Sequence, residues 1–327
     1  FIMIIKEVKL NKRLLFEDQV VIVTDKKKIS FDAGWDENLI SKLNSKLKDF
    51  KIESGNDFVY LKEKLIDLDQ EKYIVLENAV LDSIDKAWKF FNPDAKQVPR
   101  PISTVFSKEE GIKEFVVFSL NARNFPIALD ANRHVADRLA KKIKDENLSE
   151  GDILMLVKEA VDEEHALVDF EIRLGVVFDN YKKGKYVYSD KSLTSEEQLE
   201  FVLKLIDKHS LVYVENPFFE DDLVLYKKLY NKYRKKGLIC MNSNNYKDVK
   251  AFNCVVAKFN NVADFKIDVD FFKDKKLNII VEGKEDAMNV SVGLGIPLVK
   301  LTDDKVGNAT AKKLNKISEE IVSERKS

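Results

Sequence analysis

The spacing of apolar residues changes character twice along the chain. At the start they cluster in short β-rich runs, Ile2 to Leu10 and Gln19 to Thr24, and Asp25-Lys26-Lys27-Lys28 makes a turn before Ile29-Ser30-Phe31. A small antiparallel sheet is the expectation. From Asp36 to Phe91 the spacing becomes helical, as in Leu39, Leu43 and Leu47, and again in Val75, Ala79, Val80, Ile84 and Trp88. Asn92-Pro93 stops the last of these helices. Residues 1–97 therefore read as a small α+β domain.

A different rhythm begins at Pro99-Arg100-Pro101. Two β-rich runs, Ile102 to Phe106 and Glu114 to Leu120, precede two helical stretches, Phe125 to Lys144 and Glu150 to Glu164, with no strand between them. Strand then alternates with helix. The third strand is Phe170 to Phe178, and its helix starts at Ser195, with Thr194 and Glu197 forming a capping box. The next strands are Leu211 to Glu215, Leu238 to Met241 and Cys254 to Phe259, followed by Leu277 to Val281 and Pro297 to Leu301. Helices are expected at Asp222 to Lys235, Asp286 to Val292 and Asn308 to Ser323, with only a brief one after Met241. Eight strands in residues 98–327 are most simply satisfied by a closed (β/α)8 barrel, because parallel strands need helical crossovers. A doubly wound open sheet is the alternative, but no GxGxxG follows any strand.

Composition narrows the function classes. The 327 residues are 45% hydrophobic, enough for a real core. Lys and Arg total 55 against 56 Asp and Glu, so net charge gives no pull toward nucleic acid or an acidic membrane. Cys240 and Cys254 are the only cysteines, which excludes a disulfide framework or a zinc cluster. No apolar run approaches the ~18 residues of a membrane span, and no secretory leader is visible, so a cytoplasmic location is expected. Phe1 and Ile2, ahead of Met3, read as a cloning remnant.

In a barrel the chemistry lies at the carboxyl ends of the strands. Those positions carry Glu114, Glu215, Asn242, Lys258, Glu282 and Lys300. A lone Lys ending an apolar strand is usually a snorkelling side chain. Two at one mouth, Lys258 and Lys300, would depress each other's pKa and favour a phosphate or carboxylate ligand. Glu215 ends an apolar strand, where a carboxylate is costly unless it is paired or metal-bound. His134, His165 and His209 share no spacing and read as surface or core positions.

Three segments carry a resemblance to enolase. They are Tyr181 to Tyr186, Leu193 to Gln198, and Val214-Glu215-Asn216-Pro217-Phe218-Phe219-Glu220-Asp221-Asp222. Ala257-Lys258-Phe259-Asn260 is similar to that family's sixth-strand segment, and Val292 to Lys300 to its eighth-strand segment. The resemblance implies an enolase-type (β/α)8 TIM barrel with a ββαα start, preceded by an α+β capping domain. It also implies dehydration of 2-phosphoglycerate with Mg²⁺ held by three carboxylates, and a homodimer. Lys258 matches the base, Lys300 the second lysine, Glu215 the middle metal carboxylate and Glu114 a site glutamate.

The departures from the family are as informative. Asn242 stands where the resemblance implies a fifth-strand metal Asp, and Leu174 or Val177 where it implies a third-strand Asp. Glu282-Gly283-Lys284-Glu285 replaces a His-Arg-Ser segment, leaving Lys284 as a point charge for phosphate. Ser30 to Gly34 is the nearest remnant of the N-terminal closing loop, and Phe106 to Gly111 replaces a His-containing one. Lys144 to Asn147 shortens the acid-base loop, with Glu146 as a stand-in. The chain has only 11 glycines, roughly half the usual share of ~7%, in keeping with lost catalytic loops. One carboxylate and an amide should not hold Mg²⁺ tightly, whereas Lys258, Lys300 and Glu215 together would carry about +1 and suit a small anion. The expectation is a divergent enolase-like protein without standard dehydratase activity, binding a small anion at a Lys-rich mouth. An active Mg²⁺-dependent lyase using Lys258, with Asn242, Glu215 and Asp179 on one metal, is the alternative. Schiff-base chemistry at Lys258 is a third reading.

Overall fold

The computed structural model describes residues 2–13, 18–109, 111–144, 148–242, 249–302 and 305–325. The chain forms two compact units that are not contiguous in sequence. The first takes residues 1–95 with 259–270 and 289–295, and the second takes 96–258, 271–288 and 296–327.

In the first unit, β1 (Met3–Asn11), β2 (Gln19–Thr24), β3 (Lys28–Asp32) and β4 (Lys51–Ile52) form an antiparallel sheet in the order β3-β2-β1-β4. Helices α1 (Glu37–Leu47), α2 (Asn56–Lys64), α3 (Gln70–Asp82) and α4 (Ala87–Phe91) follow. Asp36 and Asp69 cap α1 and α3 by accepting from backbone N–H groups of the first turn. Leu43, Leu47, Leu61, Leu76 and Val80, spaced on one face of their helices, are buried.

Among the described residues of this unit, Glu77 is the one fully buried carboxylate. It accepts from the Tyr73 hydroxyl and from the backbone N–H groups of Val262 (2.6 Å) and Ala263 (3.2 Å). Those two residues open a helix, Val262–Asp274, so Glu77 supplies acceptor oxygens to N–H groups that have no partner within the helix. Burial holds its carboxyl above the ordinary value, against the opposing pull of these hydrogen bonds.

In the second unit, β5 (Arg100–Ser107) and β6 (Ile112–Leu120) precede α5 (Phe125–Lys142), α6 (Glu150–His165) and β7 (Glu171–Phe178). Three short strands, β8 (Tyr181–Lys182), β9 (Lys185–Val187) and β10 (Ser192–Leu193), form a separate small sheet. Then come α7 (Ser195–His209), β11 (Tyr213–Glu215), α8 (Leu223–Tyr233), β12 (Leu238–Met241) and β13 (Cys254–Ala257). The chain closes with α9 (Val262–Asp274), most of which belongs to the first unit, β14 (Asn278–Glu282), α10 (Glu285–Gly293), whose last residues also belong to the first unit, β15 (Leu298–Leu301) and α11 (Lys305–Glu324). The capping box of Thr194 and Glu197 is present at the start of α7.

The barrel is closed, in the order β11-β12-β13-β14-β15-β5-β6-β7. It is mixed rather than all parallel, because β6 runs antiparallel to both β5 and β7. The cause is local. Only residues 108–111 join β5 to β6, too few for a crossover, so the pair must form a hairpin. Helix α9 and the small β8–β10 sheet lie where the sequence reading placed no element, and the brief helix expected after Met241 lies outside the described residues. The barrel interior is filled by Ile102, Val116, Phe118, Val177, Tyr213, Val256 and Ile280, with Cys240 and Cys254 among them.

Glu77→Ala should strip an acceptor from two buried N–H groups and lower stability by about 1–3 kcal/mol, and Glu77→Gln, which keeps a carbonyl oxygen, should lose less. The raised carboxyl gives a sign. Its contribution is complete below the unfolded value and is lost as pH rises through the folded one. Urea denaturation should therefore show the Gln variant gaining on the natural protein as pH rises from the ordinary carboxyl value of 4.5 through the raised folded one.

Candidate functional site

The strand alternation that buries the barrel core also decides what stands above it. Tyr213 faces the interior, so Glu215, two residues on, faces the same way. Strand β6 runs in the opposite sense, which brings its beginning, with Glu114, to the end of the barrel where the parallel strands finish. Glu114 and Glu215 both register with Val177 of the intervening strand β7. Lys300 comes from β15, paired to Glu282 on one side and Ile102 on the other.

These three charges meet. The Lys300 ammonium donates to Glu215 Oε2 at 3.0 Å and lies 3.2 Å from Glu114 Oε2. Side-chain exposure is 7% for Lys300, 1% for Glu215 and 15% for Glu114, so water screens the group little. Thr104 Oγ1 donates to Glu114 at 2.9 Å. The Tyr213 hydroxyl donates to Glu215 Oε2, and Asn242 Nδ2 donates to Glu215 Oε1 at 3.3 Å. Asn216, in the left-handed region at φ 49°, accepts the Asn242 backbone N–H at 2.8 Å through its side chain. Asn is one of the few residues that tolerates that backbone.

Burial pulls the Lys300 pKa down, but the charges and hydrogen bonds of Glu215 and Glu114 outweigh it, and the net shift is upward. The expectation of two lysines depressing one another is corrected here, because the nearest charges to Lys300 are carboxylates. Ionised, the buried cluster of Lys300, Glu215 and Glu114 sums to one negative charge, not the positive one expected of Lys258, Lys300 and Glu215. Burial, followed by the charge of Glu215, pushes the Tyr213 hydroxyl well up, so it acts as a donor.

Lys258 extends the inward alternation of Cys254 and Val256 one step past β13, but its side chain is exposed and makes no hydrogen bond or ion pair among the described residues. Lys284 is exposed just ahead of α10. Asp179 is exposed, paired to Lys113 at 2.7 Å, and lines the same cavity as Asn242. Glu146 lies outside the described residues. None of the three histidines touches the cluster. His134 pairs with Glu164 on α6, His165 is exposed, and His209 is buried on α7. Sequence reasoning passed over Tyr213, Thr104 and Asn216. Tyr213 carried a usable signal, standing two residues before Glu215 on one strand.

Mg²⁺ asks for several hard oxygen donors in near-octahedral array. The donor set does not fit it. Each oxygen of Glu215 already accepts from a side chain, and the Lys300 ammonium occupies the cation's electrostatic role between the carboxylates. Among the described residues no group of three or more His, Cys, Asp or Glu side chains is arranged to hold a metal. The Asn242 Oδ1 is buried without a partner. It is a single neutral acceptor at the edge of a cavity of about 270 Å³ lined also by Asn216, Tyr186, Phe218 and Asn180.

Fold and site together define a closed-barrel α/β protein with a lysine held between two carboxylates at the end where its parallel strands finish. Its relatives are enolases of archaea. The enolase of Archaeoglobus fulgidus is 28% identical over 151 residues, 39% of this chain and 38% of the relative. That of Methanosphaera stadtmanae is 29% identical over 174 residues, 44% of this chain and 42% of the relative. That of Halorubrum lacusprofundi is 32% identical over 99 residues, 28% and 24% of the two chains. The chain is thus a divergent, enolase-like relative of these proteins, and the matches span 24% to 42% of their length. No family model matches it.

Lys300→Met should leave Glu215 and Glu114 facing each other without a cation and lower stability by about 3–5 kcal/mol. The raised Lys300 pKa sets the pH window. Its contribution is complete below the ordinary value of 10.5 and fades as pH rises through the folded value. Denaturation followed into the alkaline range should show the natural protein converging on the Met variant.

Proposed function

We propose that this chain is an enolase-like barrel that does not carry out metal-dependent dehydration of 2-phosphoglycerate and instead holds a small anion at the barrel mouth through Lys258. The observation that carries the reading is the state of Glu215. Its carboxylate is satisfied by Lys300, Tyr213 and Asn242, so it is not offered to a metal, and without one there is nothing to stabilise an enolate dianion by several kcal/mol. The partner sharing Lys300, Glu114, is engaged in the same way.

Lys300 is correspondingly spent on carboxylates within the chain. Lys258, exposed one step past β13, is the cation offered to an anion, and the exposed Lys284 adds positive charge ahead of α10. Exposed lysines are strongly hydrated, so binding would be weak and reversible. In this reading residues 98–327 are an enolase-type (β/α)8 barrel with a ββαα start, residues 1–97 its capping domain, and the assembly a cytoplasmic homodimer.

Assay with 2-phosphoglycerate and excess Mg²⁺ should give no turnover above background, and calorimetry no micromolar Mg²⁺ binding. Turnover that disappears in Lys258→Ala would overturn the reading in favour of an active lyase.

A further inference from the structure

The other end of the barrel carries a second feature, independent of the charge cluster and of the reading built on it. Where the parallel strands begin, the interior is not sealed. Leu120, Val212, Leu238 and Leu298 are only partly buried and pack against the underside of the barrel core. They floor a cavity of about 710 Å³, within the range of small-molecule sites.

The rim of that cavity is cationic. Arg173, Arg234, Lys235 and Lys236 line it, against a single carboxylate, Asp207, which accepts from the Tyr233 hydroxyl. Arg173 is paired with Glu171 at 2.8 Å. Arg234, Lys235 and Lys236 have no carboxylate partner among the described residues. The Arg234 guanidinium lies over Tyr230 at 5.6 Å and the Lys236 ammonium over Tyr233 at 5.4 Å.

The basic run is held at the rim by the backbone. Gly237 follows it directly, and a Cβ there would fall 2.7 Å from the Val212 carbonyl oxygen. The chain therefore presses against the start of β11 as it enters β12, and Leu238 N–H donates to that same carbonyl at 2.7 Å. Basic residues at the end of α8 also complement the helix dipole. That accounts for their sign, but not for the open apolar floor beneath them.

We infer that this cavity binds a small anionic amphiphile, its apolar body on the leucine floor and its carboxylate or phosphate head against Arg234, Lys235 and Lys236. Charge complementarity requires the anion, and the floor requires the apolar body. A bare inorganic anion would leave the leucines wet, and a neutral hydrocarbon would gain nothing from the three cations at the rim. Catalytic groups in barrels stand at the opposite end, so occupancy here would not compete with a ligand at Lys258.

Four probes test this by calorimetry and amide NMR on the full chain, all below micelle formation. They are decanoate, decyl phosphate, decanol and inorganic phosphate. Either or both of the anionic amphiphiles should saturate the protein with shifts at Leu120, Leu238 and Leu298, and which of them binds identifies the head. Decanol and phosphate should bind at least about tenfold more weakly. The exposed double variant Lys235→Gln/Lys236→Gln should weaken the anionic amphiphile by about tenfold or more, with decanol binding unchanged. Four outcomes would each overturn the inference: no saturable binding, decanol as tight as decanoate, phosphate alone as tight, or indifference to the double variant.

Discussion

The Lys300 ammonium between Glu215 and Glu114 sets the character of the carboxyl end of this barrel. The three residues belong to β15, β11 and β6, elements widely separated in sequence, and they meet only because the barrel closes. Directly below them the interior is apolar, from Val116 and Val177 to Val256 and Ile280. A charge at that depth is tolerated only when paired and hydrogen-bonded. Each member satisfies that condition for the others, and Thr104, Tyr213 and Asn242 complete the bonding. A cluster closed in this way is hard to open for chemistry, since drawing off Lys300 strands two carboxylates.

The same requirement recurs in the first unit. Glu77 is buried, but its partners are Tyr73 and two backbone N–H groups opening α9 rather than a cation. The outcomes differ in sign. Glu77 is held toward its neutral form by burial, whereas Lys300 is held toward its charged form by two carboxylates. A helix N-terminus contributes partial charge, which falls short of what full counter-ions contribute. Both arrangements nonetheless fasten distant segments of chain to one another.

What could be read from the sequence follows from period and length. The parallel barrel strands announced themselves because short, largely apolar strands of three to five residues ended at or just before charged or polar positions, and Glu215, Lys300 and Asn242 were legible as strand-end groups for that reason. The direction of β6 was implicit in the few residues between Phe106 and Ile112. Strands β8 to β10, of two or three residues, are too short to show alternation. Helix α9 did carry a helical signal, with Phe265, Val269 and Phe272 buried at spacings of four and three, but it follows β13 so closely that one apolar stretch runs into the next. Pairing was the least legible feature. Glu114 could be nominated for the site, yet nothing local marks it as the partner of Lys300, because that contact depends on barrel closure and on β6 running backwards. Tyr213 was hidden by being aromatic within an apolar run.

The identity of residue 242 is consistent with this charge arrangement. A carboxylate there would face Glu215 at hydrogen-bond distance, and with Lys300 already shared by two carboxylates a third would make the buried group more negative still. That configuration needs a divalent cation. An amide instead donates to Glu215 and needs none. The neutral residue at 242 and the lysine bound inward at 300 therefore belong to one charge arrangement, complete without an external cation. A carboxylate at 242 alone would add repulsion, and removing Lys300 alone would leave two buried carboxylates unpaired.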